Sequence, residues 1–170
     1  TTPQQWEIYR GDEFQVEIKN PEEALHLALR IKAYLRTLKL DARMSIGIGD
    51  KTYTAEKISE SNGSAFVRSG EVFSTLKKQK RTLAVNTGKT ECDNTLNLML
   101  QLGLTFMDQW LVQSAEFVLL ALENDKPQEE LGKKLGINQA AVSRRRKRSH
   151  FDLVLELEKH FRDNIKSLDA

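Results

Sequence analysis

One stretch near the C-terminus, Pro127 to Arg148, limits the fold of this chain more than any other. Leu131 and Leu135 stand four residues apart and bury one side of a first short helix. Gly136 ends that helix, because the tight turn after it needs a left-handed backbone. Ile137 plugs the corner, Asn138 is a good cap for a second helix, and Val142 packs that helix back on Leu131 and Leu135. Gly132 falls where the two helices cross, and a larger residue there would push them apart. The stretch reads as a helix-turn-helix. A preceding helix, Ser114 to Glu123, supports it with Phe117, Val118, Leu120 and Ala121, so the unit covers about 114–149. Arg146, four after Val142, stands where an apolar residue would complete the core. Either its aliphatic stem covers the core edge, or the second helix is rotated or ends early.

Charge gives this unit a direction. From Lys126 to His150 there are eight basic residues and two acidic ones, a net +6 in a chain whose total is +2, so the remainder carries −4. A short basic segment on a mildly acidic protein is an electrostatic footprint for a polyanion. Helical spacing puts Asn138, Gln139, Ala140, Ser143, Arg144 and Lys147 on the outer side of the second helix. A recognition helix lies in the major groove of double-stranded DNA and touches bases with its N-terminal residues. Gln139 suits adenine, and Arg144 suits guanine or a phosphate. Lys133, Lys147 and Arg148 suit the DNA backbone, which supplies most of the affinity and its salt dependence. The expected role is a transcription regulator rather than an enzyme. A solvated helical pair that contacts protein is the competing reading of the same residues.

Upstream the chain is mixed. Trp6–Tyr9 and Phe14–Ile18 alternate apolar and polar around Arg10-Gly11-Asp12-Glu13, which predicts a β-hairpin. Asn20 and Pro21 open a helix whose buried face is expected at Ala24, Leu27, Ala28, Ile31, Tyr34, Leu35 and Leu38. Ala42–Gly49 reads as a strand beside the hairpin, Thr54–Glu60 as a short helix, Ser69–Lys78 as a helix and Thr82–Asn86 as a strand. From Asp93 to Leu168 the pattern is helical throughout, with Gly103 a weak point in a stripe running from Leu96 to Leu111. This divides the chain into an α+β part, 1–90, and an all-α part, 91–170. The last helix carries Phe151, Val154, Leu157, Phe161, Ile165 and Leu168 on one stripe, which either packs on its own domain or forms the seam of a homodimer. A dimer would place two recognition helices on half-sites about 34 Å apart.

The run Arg10-Gly11-Asp12-Glu13-Phe14, followed by a helix and then Arg43-Met44-Ser45-Ile46-Gly47-Ile48-Gly49, resembles the palm domain of nucleotidyl cyclases, with its GGDEF hairpin and later SIGIA-like strand. Joined to the helix-turn-helix, and with Gly63–Gly70 (GSAFVRSG), the chain resembles the SatD family of bacterial proteins. The resemblance implies one antiparallel cyclase-like sheet, truncated because the strand that precedes the hairpin in that family is missing before Trp6. It also implies a nucleotide or Mg2+ site at Gly11, Asp12 and Glu13. Metal-dependent nucleotidyl transfer would need a partner carboxylate on the missing strand, and Arg10 replaces the first glycine of the motif. No catalytic residue is therefore expected, and the N-terminal part is expected to dimerise or to sense a ligand. The unpaired hairpin edge is prone to association.

Composition agrees with a cytoplasmic protein. Hydrophobic residues make up 39% and charged residues 29% of the 170, enough for a core, and no run approaches the length of a membrane span. Cys92 is the only cysteine, so an internal disulfide is excluded, and His26, His150 and His160 lack zinc-ligand spacing. Lys77, Lys78, Lys80 and Arg81 form a second basic run, read as a solvated helix end or a further phosphate contact.

Overall fold

The computed structural model describes residues 3, 5–9, 11–53, 62–123 and 127–168. Arg10, Lys126 and the helix expected over Thr54–Glu60 lie outside the described residues. The elements are β1 (Gln5–Tyr9), β2 (Glu13–Glu17), α1 (Ala24–Thr37), β3 (Met44–Gly47), α2 (Ser64–Gln79), β4 (Leu83–Asn86), α3 (Thr90–Met107), α4 (Val112–Glu123), α5 (Gln128–Leu135), α6 (Gln139–Arg148) and α7 (Phe151–Leu168). A 3-10 turn, Pro21–Glu23, leads into α1. The fold is α+β, and after Asn86 every described element is a helix.

The hairpin forms as its alternation predicts, with Trp6 opposite Val16 and Ile8 opposite Phe14. Those four side chains share one face, and Trp6 and Ile8 remain more than half exposed. The expected single antiparallel sheet is not what forms. β3 runs parallel to β4, Met44 opposite Leu83 and Gly47 opposite Asn86, so the described strands make two separate two-stranded sheets. The connection through α2 explains the direction: a helical crossover returns the chain to lie parallel, whereas a tight turn returns it antiparallel. An alternating pattern carries no record of which it will be. Lys51, just beyond β3, ties the hairpin to the body with an ion pair to Glu17 at 2.6 Å. The far edge of β4 is closed by Asn97 of α3, whose side-chain amide donates to the Val85 carbonyl at 2.8 Å and accepts from the Val85 N–H at 2.9 Å.

The first helix differs from expectation in its buried face. Leu25, Leu29, Lys32 and Ala33 are fully buried along with Ala24 and Ala28, while Tyr34 and Leu38 are exposed. Lys32 explains the rotation. Its Nζ lies 2.6 Å from Asp108 Oδ1 and donates to Asp41 Oδ1 at 3.1 Å and Thr82 Oγ1 at 3.3 Å. Two carboxylates and a hydroxyl satisfy the ammonium, so it is buried rather than turned to water. Asn20 also behaves differently: its side chain makes no capping bond, and its carbonyl accepts from Glu23 N–H in the 3-10 turn instead.

Buried side chains form one cluster from Ala24 on α1 to Ile165 on α7. Within it α1 packs on α4, and α3 packs on α7. α3 runs unbroken through Gly103, where Leu157 comes so near that a β-carbon would lie 3.2 Å from its Cδ2. The expected stripe of α7 is spent inside the chain: Phe151, Val154, Leu157, Phe161 and Ile165 are all buried. It is a packing face, not an open seam. α2 begins at Ser64, five residues before the expected start.

Candidate nucleic-acid interface

The α5–α6 unit is built as its residues dictate. Leu131 and Val142 are buried, with Leu135 and Ile137 packed at their edge. Gly136 takes φ +65°, the left-handed conformation that the turn requires. The chain then doubles back tightly enough for Ile137 N–H to donate to the Gly132 carbonyl at 3.0 Å. A β-carbon on Gly132 would sit 2.8 Å from the Ile137 carbonyl oxygen and 3.3 Å from Val142 Cγ2, so glycine sets the spacing of the two helices. Asn138 caps α6: its Oδ1 accepts from Ala141 N–H at 2.9 Å.

Two of the arginines of α6 hold it to its neighbours. Arg145 Nη1 lies 3.1 Å from Glu116 Oε2 of α4 and also donates to the Gln113 carbonyl at 3.3 Å. Arg146 Nε donates to Asp152 Oδ1 of α7 at 3.0 Å, and its guanidinium lies 5.3 Å from the centre of the Phe151 ring. The question posed by Arg146 is therefore answered by stacking at the core edge, not by an early end, since α6 continues to Arg148. At its C-terminal end, the buried Trp110 indole donates to the Ser149 carbonyl at 3.0 Å. Sequence reasoning missed Arg145. Its spacing of three from Val142 places it on the packed side and was the available signal.

The remaining residues of the unit face water. Asn138, Gln139, Ala140, Ser143, Arg144, Lys147 and Arg148 are all exposed, and so is Lys133 on α5, which pairs with Glu129 at 3.1 Å in a fully solvated i,i+4 contact. By helical period Ala140, Ser143, Arg144, Lys147 and Arg148 lie on the side away from Val142, with Asn138 and Gln139 at the N-terminal end. Among the described residues no carboxylate pairs with Arg144, Lys147 or Arg148.

The hairpin residues are arranged differently. Gly11 takes φ +81° in the turn, Asp12 is exposed and Glu13 half-buried. Among the described residues no group of three or more His, Cys, Asp or Glu side chains could hold a metal ion. Asp12 stands exposed in the turn, while Glu13 opens β2. Lys77, Lys78 and Lys80 are exposed at the end of α2, and Arg81 donates to Gln101 of α3 at 3.0 Å. Burial first, and then the Asp93 carboxylate, push the Cys92 thiol up against a lowering hydrogen bond with Thr87.

His26 and Glu158 join α1 to α7, with Nδ1 3.1 Å from Oε1, and Arg162 adds a second contact to the same oxygen at 2.7 Å. Burial alone would raise the Glu158 carboxyl. The hydrogen bonds and charges of His26 and Arg162 outweigh it and hold the group below its ordinary value. No described helix is long and apolar enough to cross a membrane. Comparison with known proteins finds no family model, no curated protein and no solved structure that matches this chain.

Proposed function

We propose that the chain is a transcription regulator that binds double-stranded DNA, with α5 and α6 as a helix-turn-helix and α6 entering the major groove. The observation that carries this reading is how the run Arg144 to Arg148 divides. Arg145 and Arg146 are tied to the chain's own acids, while Arg144, Lys147 and Arg148 project into solvent without a carboxylate partner. A helix clamped on one side and cationic on the other is suited to a duplex groove. Gln139, Ala140 and Ser143 stand at its N-terminal half, where base edges are read, and Lys133 adds a phosphate contact from α5. The N-terminal half serves dimerisation or ligand sensing in this account, and the likeness to SatD proteins belongs to the same proposal.

A gel-shift titration on mixed-sequence duplex tests it. The chain should bind, and Arg144→Ala should weaken binding at least tenfold while leaving the circular dichroism spectrum unchanged. No shift at low salt, or equal affinity of the two proteins, refutes the proposal.

A further inference from the structure

A cavity of about 210 Å³ lies where the turn between α3 and α4 meets the end of α6, lined chiefly by Phe106, Trp110, Leu111, Ser114, Arg148 and His150. At ~30 Å³ per water it has room for roughly seven, below the ~300–1,000 Å³ of a drug-sized site, so it suits a single ring with one short polar arm. Its walls are mostly aromatic. His150 takes φ +52° between α6 and α7, and its ring lies 4.9 Å from that of Phe106. The Trp110 indole N–H is spent on the Ser149 carbonyl, so that ring brings no free donor to the cavity. Two polar side chains of the lining are unspent. Ser114 is only 2% exposed, and among the described residues its hydroxyl has no hydrogen-bond partner. Arg148 has no carboxylate partner among them either, and no described Asp or Glu lines the cavity. The acids that flank it in sequence, Asp108 and Asp152, are held by Lys32 and Arg146.

We propose that this cavity binds a small aromatic carboxylate, and that the bound acid weakens the grip of α6 on DNA. The ring lies against Phe106, Trp110 and His150, where tilted and offset aromatic contacts are favoured. The carboxylate pairs with Arg148, since a guanidinium matches its two oxygens with parallel hydrogen bonds. The Ser114 hydroxyl donates to the same group, which satisfies a buried donor that is costly to leave unmade. Leu111 and Ser114 stand at the start of α4, whose N-terminal dipole also favours an anion. A bare phosphate would use the cation but leave the aromatic walls uncovered, and a cationic ligand would meet Arg148 with nothing to neutralise it. The regulatory half rests on the DNA reading: Arg148 is one of the cations assigned there to the DNA backbone, and a carboxylate on it removes that contact. The ligand also touches Trp110, which is tied to the end of α6 through Ser149.

Intrinsic fluorescence of the full chain without DNA tests the site. The chain has two tryptophans, and a Trp6→Phe background leaves Trp110 as the reporter. Benzoate and phenylacetate should change its emission saturably, with dissociation constants of about 1 mM or tighter. Benzamide, which keeps the ring without the charge, and inorganic phosphate, which keeps the charge without the ring, should each bind about tenfold more weakly or worse. Arg148→Gln, at an exposed position, should weaken benzoate about tenfold or more with unchanged circular dichroism, and Ser114→Ala should weaken it about threefold or more. Saturating benzoate should then lower the affinity for duplex and reduce its salt slope by about 1. No saturable change up to about 20 mM of either acid, or an Arg148→Gln variant that binds as the wild type does, overturns the proposal. Phosphate that binds as tightly as benzoate also overturns it and marks a contact for the DNA backbone instead. Benzoate that binds without changing the affinity for duplex overturns the regulatory half. Because the site is measured without DNA, a chain that binds benzoate but ignores duplex defeats only the DNA reading.

Discussion

Gly132 and Gly70 are both helical glycines, and replacing each by alanine should move stability in opposite directions. Gly70 lies on α2 with nothing within 4 Å of the position its β-carbon would take. Alanine there gains helix propensity alone, about 0.8–1 kcal/mol. Gly132 gains the same propensity but places a methyl group 2.8 Å from the backbone carbonyl of Ile137 and 3.3 Å from Val142. The carbonyl belongs to the turn itself and cannot rotate away, so α5 and α6 must separate. Overpacking of this kind costs about 1–3 kcal/mol. Taking about 2 for the clash, Gly132→Ala loses about 1 kcal/mol net, and the two variants differ by about 2 kcal/mol. At this chain length that is a gap of roughly 4–8 °C in Tm. Thermal unfolding followed by circular dichroism, with urea midpoints as a second measure, reads both. If Gly132→Ala is stabilised as much as Gly70→Ala, the two helices do not cross closely and the argument for a rigidly held α6 fails.

Three further outcomes follow from the same contacts. Asn138→Ala removes the cap on Ala141 N–H and should cost about 1 kcal/mol in urea unfolding; a loss below a few tenths would mean that the cap contributes nothing. Lys32→Met leaves Asp108 without its cation and Asp41 with only Arg36 at 3.8 Å, and should cost about 3 kcal/mol, the low end for breaking a buried pair because both acids keep some exposure. A loss under about 1 kcal/mol would show that the ammonium does not hold α1 and the end of α3 together. For Glu158, the folded carboxyl titrates below its reference value of 4.5. Its contribution is thus complete above that pH and is lost as pH falls through the lower folded value. Glu158→Gln should flatten the acid side of the urea-midpoint profile and leave its shape near neutrality unchanged; an acid limb as steep as that of the wild type would remove the assignment.

The sequence carried the α5–α6 unit almost entirely, because each position has a local reason: a glycine for a left-handed turn, an asparagine for a cap, a small residue at a crossing. The hairpin was legible for the same cause, two alternating runs around a turn. What could not be read depended on partners far along the chain. Lys32 reverses the rule that lysine faces water, and only Asp41 and Asp108, from two other segments, explain it. Counting apolar residues therefore put the buried face of α1 on Tyr34 and Leu38 instead of Leu25 and Leu29. The partner of β3 was hidden because alternation fixes which side chains point inward but not which strand lies alongside or in which direction. On α6, the outward residues followed from helical period, but the Arg145 contact with Glu116 required knowing that α4 passes beneath it.

In the proposed DNA complex Arg144 and Lys147 meet phosphates or bases, while Arg146 serves the fold. Salt dependence separates these roles directly. The logarithm of the association constant for duplex should fall linearly with the logarithm of salt concentration. Arg144→Ala and Lys147→Ala should each reduce that slope by about 1. Arg146→Ala, measured at a temperature where it remains folded, should keep the wild-type slope. Equal slopes in all four proteins, or a loss of slope in Arg146→Ala alone, would contradict the account.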